Sequence, residues 1–468
     1  MSRGSSFNTP STLCSLEQVR HQMRLAALAL SGYLLRKEAW ERGISSRQTV
    51  VDPPVVCRDL VVQNALYTGN LEAVKDVFSK GFPANLVIQP QGGAMRLVAD
   101  GKVRGLWSLT YEQELTTPLH VTAGRGFTEC LRHLLQRGAR VDLAPGGTTA
   151  LHEACEECQQ ECAMLLLQYG ANANEVNEDG QMPLHVCTEL ESLECAKHLI
   201  SSGAVINGQS LYENDTPLHV AARHGLPGHV ELYLRYGAAL NLQNDEGLTP
   251  LNSACSQPQD RASLERYTSV CHLLVSAGAD IHISDADKQT PLHMACKNVN
   301  PDVVELLLKH KASVNEMDYS ADAPMHNILK GVAYKVDNEP ERIVQALLNY
   351  GSIRVWPGAL PKVLKYCCIS PRTIEVLFNA YDRLKITDAW VEAVPTGGIS
   401  GKMSISDKHQ EFYESLFALT QTPRSLQHLA RHRLRTFLEG RLHRVVPKLG
   451  LPTFLKNYLM LAFKGYIH

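Results

Sequence analysis

The 468-residue sequence has no large excess of either charge: 46 Lys and Arg stand against 48 Asp and Glu, a formal net charge of −2. That excludes the global basic field that drives non-specific nucleic-acid binding, so any basic patch is local and no nucleic-acid partner is expected. Long hydrophobic runs are missing as well. The one candidate targeting segment, RLAALALSGYLLRK at 24–37, holds an apolar run of eleven residues at 25–35, against about 18 or more for a membrane span. It ends in Arg36, Lys37 and Glu38 without a small-residue cleavage site, and reads as a buried or docking helix, a targeting role being the lesser alternative. No membrane insertion follows from it. The thirteen cysteines are odd in number and lack a framework, which fits reduced thiols in an intracellular protein, cytoplasmic with the nucleus as second compartment. No nucleophile elbow, phosphate loop or supported carboxylate pair occurs. GGISGK at 397–402 lacks phosphate-loop spacing and reads as a loop, so neither catalytic residues nor a cofactor are expected.

What the chain does have is a repeat. Thr117-Pro118-Leu119-His120 returns as TALH from Thr149, MPLH from Met182, TPLH from Thr216, TPLN from Thr249, TPLH from Thr290 and APMH from Ala323. The fourth positions, His120, His152, His185, His219, Asn252, His293 and His326, are spaced by 32, 33, 34, 33, 41 and 33 residues. Threonine can cap a helix, proline fits its first turn, and an apolar stripe follows in LHVAARHG. A second helix then closes at Gly138, Gly170, Gly203, Gly237, Gly278 and Gly351, where a left-handed residue ends a helix. Lys311 takes that place once, at a cost of about 1 kcal/mol if its backbone is left-handed.

A 33-residue period with this signature resembles the ankyrin repeat, and the resemblance covers roughly 57–352. The implied fold is all-α: an ankyrin-repeat solenoid of helix pairs with hairpin turns. The first unit, at 64–85, lacks the tetrapeptide, as a capping repeat does. Insertions at about 86–115, with Trp107 and Tyr111, and at 256–269 are expected on loops. Two motifs in the array invite a metal reading. The regular histidines are one per repeat and are expected to serve their own repeat's backbone. Cys155, Cys158 and Cys162 have near-zinc spacing but fall on a core position, a turn and the next helix's core face, so they point apart and no metal is expected. The array implies a protein-binding surface, and side chains near the repeat turns, Arg125, Glu156, Glu189, Arg223, His224 and Lys297, are candidates to face an unknown protein target.

Residues 353–422 read as a helical connector. Beyond it SLQHLARHRLR begins a basic helix in which Leu426, Leu429, Ala430, Leu434, Phe437 and Leu438 form one apolar stripe. Residues 423–448 carry a local net charge of +6, which would suit DNA or anionic lipid, yet VVPKLGLPTFLKNYL follows and makes a compact helical module. Residues 423–468 resemble a SOCS box: Ser425, Leu426, Leu429, Arg431, Leu434 and Arg435 match its pattern SLxxLCRxxIR, with Ala430 in place of cysteine. Leu449-Gly450-Leu451-Pro452 resembles its LPLP, with glycine in place of the first proline. Following an ankyrin array, these motifs identify the chain as a member of the ankyrin-repeat and SOCS-box family. The resemblance implies a non-catalytic substrate receptor of a cullin-RING ubiquitin ligase. Leu426, Leu429, Ala430, Arg431 and Leu434 would contact elongins B and C, and Leu449, Leu451 and Pro452 would contact cullin 5 with its RING subunit. The rival reading is a scaffold or adaptor whose box has degenerated. Residues 1–56, an N-terminal segment with the amphipathic helix, lie outside the resemblance.

Overall fold

At Thr117 and Thr249 a repeat starts where a threonine oxygen meets a free backbone N–H. Thr117 Oγ1 accepts from His120 N at 3.5 Å and Thr249 Oγ1 from Asn252 N at 3.3 Å, and the proline that follows each threonine occupies a position whose missing N–H costs nothing. The computed structural model describes residues 56–57, 59–88, 95–99, 107–111, 115–382, 409–418 and 424–462. The apolar segment 24–37 and the loop 397–402 lie outside them. The described residues form 21 α-helices and four short strands, an all-α fold, in two compact units: residues up to 217 with 235–238, and residues 218–234 with those from 239 onward.

The first unit contains β1 (Val56–Cys57), α1 (Leu60–Thr68), α2 (Leu71–Ser79), β2 (Val87–Ile88), β3 (Met95–Ala99), β4 (Trp107–Tyr111), α3 (Pro118–Gly124), α4 (Thr128–Gln136), α5 (Ala150–Glu156), α6 (Gln160–Gln168) and α7 (Leu193–Ser201). First helices stack on first helices, α1 on α3 on α5, and second helices on second, α2 on α4 on α6 on α7. The insertion after β2 is not plain loop: β3 and β4 pair antiparallel, Met95 opposite Tyr111 and Ala99 opposite Trp107. One repeat lacks its first helix. Residues 182–187 form turns that lead through a 3-10 turn, Leu190–Ser192, into α7. Glu191 stands where Gly126 and Gly225 take positive φ angles of 72° and 64°, and without a left-handed residue the chain makes the corner by tightening instead.

The second unit runs through α8 (Pro217–Arg223), α9 (Pro227–Arg235), α10 (Pro250–Ser256), α11 (Leu264–Ser276), α12 (Pro291–Lys297), α13 (Pro301–Lys309), α14 (Pro324–Gly331), α15 (Pro340–Asn349), α16 (Leu360–Cys367), α17 (Pro371–Phe378), α18 (Gln410–Ala418), α19 (Leu426–Phe437), α20 (Leu442–Val445) and α21 (Thr453–Leu459). The insertion at 256–269 is half loop and half helix, 257–263 forming the loop and 264–269 the start of α11. It lengthens α11 to 13 residues, and Tyr267 on it donates to Arg223 O at 3.0 Å. The same stacking continues past the last tetrapeptide, for α16 packs on α14 and α17 on α15. The six helix-closing glycines have φ between 81° and 99°, and Lys311 shares their left-handed backbone at 73°.

The repeat histidines do more than the expected service to their own backbone. His120 Nε2 reaches Thr148 O at 2.7 Å, His152 reaches Gln181 O at 3.0 Å, His185 reaches Asp215 O at 2.9 Å and His293 reaches Glu316 O at 3.0 Å, each carbonyl belonging to the next repeat. A carbonyl only accepts, so Nε2 carries the proton and Nδ1 accepts from threonine Oγ1, at 2.7 Å for Thr117 and 2.8 Å for Thr149 and Thr290. Asn252 keeps the reach, donating to Ile283 O at 3.1 Å, but leaves its buried Oδ1 without a partner. Of the three spaced cysteines, Cys155 meets Cys187 and Cys195 instead of its sequence neighbours. Cys158 takes the left-handed turn at φ 57°, and Cys162 lies 3.7 Å from Thr128 Oγ1.

Candidate partner-docking site

Helix α19 is amphipathic with its faces reversed. Ser425 caps it, Oγ accepting from His428 N at 3.2 Å, and from there the apolar stripe faces outward. Leu426 is 85% exposed and Phe437 75%; Leu429, Ala430 and Leu434 are exposed as well. The buried positions are His428, Arg431 and Arg435, at offsets 0, 3 and 7, a polar row that turns inward. Burying charge without a counter-ion costs several kcal/mol unless strong acceptors replace water, roughly as for an isolated buried ion. Helix C-termini supply them, since their last carbonyls lack partners and carry the negative end of the helix dipole.

The acceptors belong to the last helix pairs. Arg424 donates to Phe378 O at 3.4 Å, and Arg431 to Asn379 O at 3.3 Å and Asn379 Oδ1 at 3.1 Å, all at the end of α17. His428 Nε2 donates to Tyr381 O at 2.7 Å, and its Nδ1 accepts from Arg431 at 2.8 Å. Burial, then the Arg424 and Arg431 charges, holds the His428 imidazole down at about 4 against the Tyr381 bond. Arg435 donates to Asn349 Oδ1 at 2.8 Å and Leu348 O at 3.5 Å at the end of α15, and to Leu459 O at the end of α21. It enters no ion pair among the described residues. Burial first, and the charges of Arg431 and Arg354 second, push its guanidinium below its ordinary value.

The rest of the joint is backbone and rings. A Cβ on Gly351 would stand 2.8 Å from Gly440 Cα, so the two chains pass at a distance that admits no side chain. Tyr350 stacks on His443 with ring centroids 3.7 Å apart and planes 9° apart. Gln345 and Asn349 donate to Met460 O at 3.0 and 2.9 Å. Leu442, Val446 and Leu459 form a small core, with Leu438, Leu451 and Met460 packed against it.

Comparison with known proteins decides what this module is. The ankyrin repeat profile (three copies) matches in overlapping segments from 65–177 to 260–355, and the SOCS box profile matches 422–460. The chain is 39% identical over 423 residues to Ankyrin repeat and SOCS box protein 16 of Homo sapiens, covering 90% of each. It is 50% identical over 368 residues to protein 10 of that series in Homo sapiens, covering 78% of this chain and 77% of the other, and 41% identical over 405 residues to protein 18, covering 86% and 85%. The chain belongs to the ankyrin repeat and SOCS box family. Membership supports a substrate-receptor role in a cullin-RING ligase; a SOCS box implies elongin and cullin binding in general, and ankyrin repeats bind protein targets.

Within the SOCS box the structure separates the residues that the sequence grouped together. Leu426, Leu429, Ala430 and Leu434 share the outward face, while Arg431, grouped with them, is 1% exposed, lies over the Tyr458 ring at 4.4 Å and serves the chain's own packing. Arg431 is therefore corrected to an internal role: its position three residues after His428 puts it on the inward row. The regular spacing of His428, Arg431 and Arg435 was the signal for that row. Leu449 and Pro452 are exposed, Leu451 is half-buried against the small core, and a side chain on Gly450 would meet open space. Phe454 and Leu455, outside the sequence-derived set, are exposed beside them. Among the target-facing candidates, Arg125, Glu156 and Glu189 are exposed in the first unit, and Arg125 sits over the Tyr67 ring at 4.9 Å. In the second unit His224 and Lys297 are exposed and Arg223 is half-buried. Among the described residues no helix is long and apolar enough to cross a membrane.

Proposed function

We propose that this protein is the substrate receptor of a ligase built on elongins B and C and cullin 5 with its RING subunit, working in the cytoplasm with the nucleus as second compartment. The observation that carries the reading is the outward apolar face of α19. A monomer gains nothing by exposing Leu426, Leu429, Leu434 and Phe437 while burying two arginines and a histidine, and a partner that covers the leucines removes that cost. The ankyrin repeats select the protein target, the SOCS box joins the ligase, and the chain supplies no catalytic residue. Leu449, Leu451 and Pro452 serve the cullin side; Leu451 does so in part by holding the loop against the small core.

The test compares two truncations on one helix. A leucine buried in a partner pocket is worth about 2 to 5 kcal/mol, so Leu426→Ala should lower elongin B and C co-purification more than about tenfold. Arg433 is exposed, and Arg433→Ala should change it less than about threefold. If Arg433 matters more than Leu426, or the wild type retains no elongin at physiological salt, the ligase reading falls and an adaptor with a degenerate box remains.

A further inference from the structure

The exposed face of α16 lies outside the hydrogen bonds and ring contacts of the SOCS joint among the described residues. Between Arg342 and Glu375 the chain carries five cations, counting Arg342, and no carboxylate. Three of the five are engaged: Arg342 pairs with Asp302, Glu305 and Glu339, Arg372 with Glu375, and Arg354 contacts His432 at 2.7 Å. Lys362 and Lys365 are not. Both are exposed and take part in no ion pair among the described residues. They lie at offsets 0 and 3 of α16 with exposed Tyr366 at offset 4, one face of the helix, opposite the buried Val363, Leu364 and Cys367.

Aromatic rings flank that face. Tyr334, 87% exposed, ends the 3-10 turn Val332–Tyr334 that packs against α16. Trp356, 75% exposed, begins the turn leading into α16, and its ring lies so close over Gly358 that a Cβ there would fall 1.9 Å from the indole. A large ring this exposed offers contact area that a partner can bury. The nearest acidic side chains in sequence are exposed Asp337, Glu341, and Glu339 and Glu375, which pair with Arg342 and Arg372.

From this juxtaposition we infer that the α16 face, Lys362, Lys365 and Tyr366 with Tyr334 and Trp356, docks an acidic segment of the protein target that also carries aromatic or apolar side chains. The inference rests on the receptor reading and names the target chemistry for the C-terminal repeats. Two ammonium groups supply little of the phosphate neutralisation that drives nucleic-acid binding. For a carboxylate-rich segment two lysines one turn apart fix register, and the rings supply buried area.

The full chain, purified with elongins B and C, is titrated against three probes by fluorescence anisotropy: a labelled peptide of alternating glutamate and tyrosine, its glutamine–tyrosine counterpart, and a single-stranded oligonucleotide. Binding to phosphatidylserine vesicles is measured by sedimentation. The acidic peptide should bind at least about tenfold more tightly than the glutamine peptide, and Lys362→Glu with Lys365→Glu should remove that difference. Trp356→Ala should weaken both peptides, while elongin retention stays at the wild-type level in every variant. Equal binding of the two peptides, wild-type affinity in the double variant, or stronger binding of oligonucleotide or vesicles overturns the inference. Loss of elongin from the lysine variant also overturns it, because the face would then belong to the ligase side. Absence of elongin from the wild type instead strikes the receptor reading and leaves the peptide result to be judged alone.

Discussion

Arg435 shows what one residue can hold. From α19 its guanidinium is shared by two helix ends, at Leu348 and Asn349 and at Leu459, and none of the groups it meets is a carboxylate. Arg435→Ala strands buried acceptors on both sides of the joint, each worth about 1 to 3 kcal/mol, so a loss of at least about 3 kcal/mol is expected in urea denaturation of the full chain. Arg433→Ala, on the exposed side of the same helix, should leave the urea midpoint within error and serves as the control. Gly450 is the opposite case. Its N–H makes no backbone bond, a side chain there meets nothing, and Leu449 before it sits at φ −69° and ψ 143°, the region a residue preceding proline prefers. Gly450→Pro should thus raise stability by about 0.4 to 1 kcal/mol through the unfolded chain alone. The same variant should increase cullin 5 capture if this loop is the cullin contact; a rise in stability without a rise in capture would separate the two effects.

At the scale of elements, the tetrapeptide helices are joined by neutral histidines, and that joins stability to pH. Burial holds His120 and His152 down at about 4 despite their bonds to Thr148 and Gln181, and His185 and His293 are lowered by the same cause. Their unfolded values lie near the ordinary 6.5, so below it the unfolded chain binds protons that the folded one refuses, down to about 4 for His120 and His152. The stability these rings contribute is present above 6.5 and falls as the pH drops towards 4, by up to about 1.4 kcal/mol per pH unit for each ring. Denaturant midpoints at pH 7.5 and 5.0 should show the fall, and His152→Asn, which copies the non-titrating Asn252, should make the slope shallower. The histidine positions themselves were plain in the sequence, as were the closing glycines and the left-handed Lys311, because each is fixed by its own local backbone. What they reach was not plain: a bond to a carbonyl some 23 to 31 residues ahead depends on stacking, which spacing alone does not show. For the same reason α11 absorbed the second half of an insertion expected on a loop, and residues 182–187 stayed unwound where a helix was expected.

At the scale of the molecule, the all-α class and the two kinds of module were legible because a period and a pair of motifs state them directly. The reversed helix was only half legible. The leucine stripe of α19 could be read as wanting a partner, yet the arginines beside it look like any solvated charges until α15 and α17 are known to end against them. That arrangement bears on how such a protein can be rebuilt. A terminal box attached by a flexible tether could be moved to another repeat array as a cassette. Here Gly351 and Gly440 leave no room between the backbones, Tyr350 lies flat on His443, and Arg435 counts on an asparagine and two carbonyls from outside its own helix. A chimera that keeps residues 424–462 but replaces α15 and α17 would inherit buried arginines without their acceptors. The unit of transplantation is therefore the box together with the last two helix pairs of the array.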